Sequence, residues 1–282
     1  MLSKGAAPPI NRRQALAGAA AACFASLARP VAAREPVWLD QRRLGPFVCR
    51  STFPLGDRLI VETDLAQLQQ GLQASLGVRE CREEIEVLLL SNSAQHKQFL
   101  AERHPAAPYR RALFYKQQGR GVVYAYLHKD LPVDLRHECT HALLHADLPM
   151  APLWLDEGIA EYFEPRPQSH GDAASRLRKV RRDLTLGRLR TLTYLERKHE
   201  LSQLGEMDYR FSWAWAHFLL HGPPEVRAEL QSYLASLRRM QPPGLMSQRL
   251  AAAIPNYQRQ FANHFWRWQG LRQASESSDV KV

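Results

Sequence analysis

The spacing of apolar residues changes period several times along the chain, and each change predicts an element. Phe47-Val48-Cys49 and Leu59-Ile60-Val61-Glu62 predict strands. Apolar residues at 65, 68, 72 and 76 recur at helical spacing, so Leu65 to Leu76 predicts a helix. Ile85-Glu86-Val87-Leu88-Leu89-Leu90 predicts a buried strand, and Ala94 to Glu102 a short helix that stops before Pro105. Ala112–Tyr115 and Gly121–Leu127 predict a hairpin joined through Gln117-Gln118-Gly119. Its second strand runs directly into a helix that starts between Leu131 and Asp134. Pro132 suits the first turn of that helix, Asp130 or Asp134 can cap it, and it must stop before Pro149 and Pro152. A further helix starts around Leu155. Beyond a polar loop at 165–172, helices are predicted over 173–187, 192–201, 209–221, 224–240 and 256–268. The pattern is α+β, with a sheet-bearing half to about residue 130 and a helical half from about 131.

Composition changes this picture at the ends of the chain. Arg12-Arg13 precedes an Ala-rich apolar stretch from Ala15 to Ala28, and Val31-Ala32-Ala33 supplies small residues for cleavage. Residues 1–33 therefore predict a signal peptide cleaved after Ala33, and Asn11-Arg12-Arg13-Gln14-Ala15-Leu16 looks like the twin-arginine type. The expected globular domain covers 34–270, followed by a flexible tail at 271–282. Loss of Lys4, Arg12, Arg13 and Arg29 with the leader lowers the net charge from +10 to +6. Export, to the periplasm or beyond, argues against a nucleic-acid partner. The basic stretch Arg176 to Arg182 predicts a solvated helix face that could also touch anionic envelope surfaces peripherally. Cys139 reads as a small packed side chain. Cys49 and Cys81 could form a disulfide in an oxidising compartment.

The chemistry concentrates in His137-Glu138-Cys139-Thr140-His141 and, sixteen positions later, Glu157. Residues i and i+4 share a helix face, so His137 and His141 can aim at one centre. This is the HExxH arrangement for a single zinc ion, with Glu138 as general base. Glu157 is the favoured third ligand. Asp147 occupies the third-ligand position of a metzincin pattern, but Leu144 stands where the helix-breaking glycine would be, and the continuing helix turns Asp147 elsewhere. His145 is a turn too far along the same helix to join the pair. Glu161, one turn after Glu157, suits a supporting role as acceptor of the free N–H of His137 or His141.

These residues resemble the gluzincins, zinc peptidases of the MA clan. Trp154-Leu155-Asp156-Glu157-Gly158-Ile159-Ala160 is similar to the WLNEGFA signature of the aminopeptidase branch, in which the Glu is the third zinc ligand. Asp156 stands in place of the usual Asn. Tyr209 to Leu220 is similar to the segment whose tyrosine stabilises the tetrahedral intermediate, which makes Tyr209 the candidate for that role, with Tyr194 and Tyr162 as alternatives. The structural alternative for Tyr209 is a tyrosine that merely opens an amphipathic helix. The GxMEN loop that binds a free amine in aminopeptidases does not occur in this chain. The resemblance covers roughly residues 85 to 240 and is greater to small bacterial peptidase-MA-like domains. It implies a thermolysin-like zincin fold and hydrolysis of a peptide or protein substrate. The strand at 121–127 is then expected at the cleft edge, pairing with an extended peptide. The competing reading is a catalytically silent zinc-site protein that serves as an envelope binding or scaffold module.

Overall fold

The structure is a computed structural model, and it describes residues 35–56, 61–105, 107, 109–117, 119–165 and 170–268. The predicted leader, the predicted tail beyond 270, and Leu59 and Ile60 of the predicted second strand lie outside these residues. The order of elements is β1 (Asp40–Leu44), β2 (Phe47–Ser51), α1 (Val61–Leu76), β3 (Ile85–Leu90), α2 (Ser93–Arg103), β4 (Ala112–Gln117), β5 (Arg120–Tyr126), α3 (Leu131–Asp147), α4 (Leu153–Phe163), α5 (His170–Thr185), α6 (Leu192–Leu195), α7 (Glu206–His221), α8 (Pro224–Arg238), α9 (Met246–Ala253) and α10 (Tyr257–Arg267). This is a mixed α+β architecture, with one small sheet and a helical C-terminal part.

The five strands run in the order β1-β2-β3-β5-β4. β2, β3 and β5 are parallel, while β1 and β4 pair antiparallel at the two edges. The central strands are covered on both faces, which accounts for their nearly unbroken apolar sequence. Ile85, Val87 and Leu89 of β3, with Val123 and Ala125 of β5, enter the main core with α1 and α3. Leu88 and Leu90, with Val122 and Tyr124, turn to the other face and pack on Phe99 and Leu100 of α2. The alternation is the two-residue period of a strand serving two layers.

Several elements differ from the sequence expectation. Val61 and Glu62 open α1 and are not part of a strand, because the buried stripe Leu65, Leu68, Leu72 and Leu76 extends helical bonding back through them. β1 escaped notice because Asp-Gln-Arg-Arg-Leu alternates between half-buried and exposed positions without an apolar signature. The expected helix over 192–201 is a single turn, α6, followed by a 3-10 turn at Leu201–Gln203, and α9 was not anticipated. The hairpin strand at 121–127 is internal, and the free edge beside α3 belongs to β4. No disulfide joins Cys49 to Cys81, whose thiol lies 3.3 Å from the Glu83 carbonyl oxygen. Cys139 is fully buried in the core.

α3 divides its surface between core and site. Leu131, Leu135, Cys139, Ala142 and Leu143 are buried in the main core, which leaves the His137 and His141 face towards α4. Arg136, also buried, donates to the carbonyls of Phe163 and Asp64 and so ties α3 to the end of α4 and to α1. α4 in turn packs along α7. Gly158 permits this, because a Cβ there would lie 2.4 Å from the Ser212 carbonyl oxygen. Among the described residues no helix is long and apolar enough to cross a membrane.

Candidate metal centre

One helical turn on α3 and the N-terminal half of α4 assemble the centre. His137 Nε2 and His141 Nε2 are 3.2 Å apart, and Glu157 Oε2 lies 3.5 Å and 3.8 Å from them. Glu157 is buried, and this oxygen has no hydrogen-bond partner. Donors bonded tetrahedrally at about 2.0–2.1 Å are about 3.3–3.4 Å apart, so the three spacings match a small divalent ion. A buried carboxylate oxygen left without a donor is costly, and a cation among these three atoms would remove that cost. The donor set could therefore hold a metal ion.

Each imidazole is oriented from behind by a carboxylate. His137 Nδ1 is 3.1 Å from Glu164 Oε2, and His141 Nδ1 is 2.9 Å from Asp156 Oδ1. With protons on both Nδ1 atoms, both Nε2 lone pairs face the centre. Glu164 caps the end of α4, and Asp156 immediately precedes Glu157, so α4 supplies the third donor and both orienting carboxylates. Burial disfavours a charged His137, yet the adjacent Glu157 and Glu164 carboxylates outweigh it and hold this imidazole well above the usual histidine range. His141 is raised likewise, with Asp156 overcoming burial. Burial pushes the Asp156 carboxyl up, but His141 and His145 hold it below the usual carboxylate range.

This arrangement corrects the expectation for Glu161. Glu161 pairs with Arg176 at 2.9 Å, and Glu164 takes the His137 Nδ1 position. The reason is the packing of α5, whose Arg176 reaches across α4 and draws the Glu161 carboxylate to itself. The basic stretch is accordingly not a uniform solvated face. Arg178, Lys179 and Arg182 are exposed, but Arg176 is half-buried among carboxylates and Arg181 donates to the carbonyls of Phe265 and Trp268. His145 hydrogen-bonds Asp156 Oδ2 at 3.0 Å and packs on the Phe114 ring. Asp147 lies at the far end of α3, where Arg79 and Arg238 hold it at 2.5 Å and 2.8 Å.

Two further features face the centre. Glu138 Oε2 accepts a 2.6 Å hydrogen bond from the Phe114 main-chain N–H on β4. The bond shows that the edge strand runs beside this carboxylate. Tyr209, half-buried on the first turn of α7, is close enough to sense the centre electrostatically: burial and the Glu157 charge raise its phenol, while Arg110 and His137 oppose the shift. Arg110, on the loop entering β4, lies near this tyrosine and carried no signal in the sequence. Tyr162 is committed elsewhere, 2.6 Å from His221 Nε2, and Tyr194 lies at the surface beside Arg190 and Lys198.

Two other groups among the described residues could hold a cation, His141 with His145 and Asp156, and His137 with Glu161 and Glu164. In the first, His145 Nε2 meets Asp156 Oδ2, and Asp156 Oδ1 lies against His141 Nδ1 at 2.9 Å. In the second, the Arg176 guanidinium already stands against both carboxylates. In the His137, His141 and Glu157 group a carboxylate oxygen without a hydrogen-bond partner lies near the Nε2 atoms of both imidazoles.

A family profile described as "Protein of unknown function (DUF1570)" matches residues 133–243, a stretch that runs from the first turn of α3 past the end of α8. No curated protein matches the chain.

Proposed function

We propose that the chain is a zinc-dependent peptidase of the gluzincin type, with a thermolysin-like zincin fold, that works outside the cytoplasm after loss of residues 1–33. The observation that carries this reading is the convergence of His137 Nε2, His141 Nε2 and the unpartnered Glu157 Oε2 at spacings suited to one small divalent ion. His137, His141 and Glu157 would hold the zinc, which when bound supplies Lewis acidity and a water of lowered pKa.

The rest of the chemistry belongs to side chains of the chain. Glu138, next to His137 on α3, is the general base: its carboxylate takes a proton from the attacking water and returns it to the leaving amine. Its hydrogen bond from the Phe114 N–H restrains the carboxylate beside the edge strand. Tyr209 donates a hydrogen bond to the developing oxyanion, with Arg110 beside its phenol. Burial keeps Tyr209 protonated at neutral pH, which a hydrogen-bond donor requires. β4 is an antiparallel edge strand, so an extended substrate could add to it through main-chain hydrogen bonds.

The decisive comparison uses purified wild type, Glu138→Gln and Glu157→Ala on a mixed peptide library, with zinc quantified in each. The expected result is cleavage and one zinc for wild type, full zinc without cleavage for Glu138→Gln, and sharply reduced zinc for Glu157→Ala. Cleavage by Glu138→Gln at the wild-type rate would remove the assigned base. Full zinc with no cleavage by wild type would favour a silent binding module.

A further inference from the structure

Glu161 and Glu164 are both largely shielded from solvent, and both lie beside His137. Two carboxylates so placed repel one another unless a cation lies between them. Arg176 of α5 supplies it. Its Nη2 is 2.9 Å from Glu161 Oε2 and 2.5 Å from Glu164 Oε1, and its Nη1 donates to the Glu161 main-chain carbonyl. The Arg176 side chain is itself only 19% exposed. Glu164 thus turns one oxygen to Arg176 and the other to His137 Nδ1.

We propose that Arg176 is a positioning residue for the metal centre, acting through Glu164 to fix the His137 ring with its proton on Nδ1 and its Nε2 free to bind metal. The inference rests on the zinc reading above. An imidazole can offer the Nε2 lone pair only while the other nitrogen keeps the proton, and a fixed carboxylate at Nδ1 enforces that state. Glu164 can serve only if it does not swing away. Arg176 secures this, because a planar fork can grip two carboxylates and a carbonyl at once, whereas a lysine ammonium is a single point charge. The guanidinium also fills the space in which His137, Glu161 and Glu164 would otherwise form a competing cation cage.

The test measures zinc affinity by chelator competition, with circular dichroism of the metal-free protein as a check on folding. It compares wild type, Arg176→Gln, Arg176→Lys, Glu164→Gln and the Arg176→Gln/Glu164→Gln double variant. Arg176→Gln and Glu164→Gln should each weaken zinc binding roughly 10–100-fold, the usual cost of losing an orienting partner. The double variant should be no weaker than the poorer single, and Arg176→Lys should fall between wild type and Arg176→Gln. A folded Arg176→Gln with wild-type affinity, or losses that multiply in the double variant, would overturn the positioning role. If Arg176→Gln does not fold, the lysine variant decides: intermediate affinity supports the role and unchanged affinity overturns it. Absence of zinc binding by wild type would instead overturn the metal reading, and this inference with it.

Discussion

Gly158 and Ser212 meet so closely that a Cβ on the glycine would lie 2.4 Å from the serine carbonyl oxygen. The contact sets the separation of α4 and α7, and therefore the distance between Glu157, one residue before the glycine, and Tyr209, one turn before the serine. Gly158→Ala must push the helices apart. The expected cost is about 1–3 kcal/mol of stability, as for other overpacked sites, read from urea denaturation. On the peptidase reading, turnover should fall further than zinc affinity, because both histidines proposed as ligands lie on α3.

Asp156 connects His141 to His145 through its two oxygens, at 2.9 Å and 3.0 Å. An amide at this position keeps the shape but offers only one acceptor oxygen. Asp156→Asn should lower zinc affinity roughly 10–100-fold, as measured by equilibrium dialysis, while the fold is retained. An unchanged affinity would show that His141 does not depend on this carboxylate.

Asp147 predicts an acid-sensitive clamp far from the centre. Burial alone would raise its pKa, but hydrogen bonds from Arg238 and Arg79 outweigh burial and hold it below the usual value. A depressed carboxyl stabilises the fold above its unfolded pKa of about 3.9, and the contribution is lost as pH falls through the lower folded value. Asp147→Asn should therefore cost about 1.5–3 kcal/mol at pH 7, the range for hydrogen bonds to charged groups. Chemical denaturation should show the difference from wild type shrinking below about pH 4.

A second pH dependence comes from α7 and α10. His217 Nδ1 lies 3.0 Å from His264 Nε2, and His221 adjoins His217 and the Tyr162 hydroxyl. Burial holds His221 and His264 down at about 4 and His217 well below its usual value, with mutual repulsion and Arg227 adding to the effect. The folded state thus binds fewer protons than the unfolded chain. Stability should be complete above about pH 6.5 and fall as the pH drops from there towards 4. His221→Gln, which can still meet Tyr162, should flatten that slope by up to one proton in urea titrations at several pH values.

Much of the sheet was legible because β3 and β5 carry their burial in consecutive apolar residues. β1 was not, since an edge strand can be stable through main-chain pairing while its side chains remain polar. The helix over 192–201 failed for a related reason. Its apolar spacing suits a helix, but Thr191 caps a single turn and the chain then turns away at Glu196.

The local sequence determined that His137 and His141 share a face, that Glu138 sits between them, and that an acid-bearing helix follows after a proline-marked turn. These follow from helical period and from breakers, which act over a few residues. Only the tertiary structure decided which carboxylate stands behind each imidazole. Glu161 has the correct spacing from Glu157, but Arg176 arrives from another helix and holds it, and Glu164 and Asp156 orient the histidines. Likewise the free edge falls to β4, and Arg110 reaches Tyr209, because elements distant in sequence pack together. Periodicity gives the face of a helix, but the partner of that face depends on how several helices share one interior.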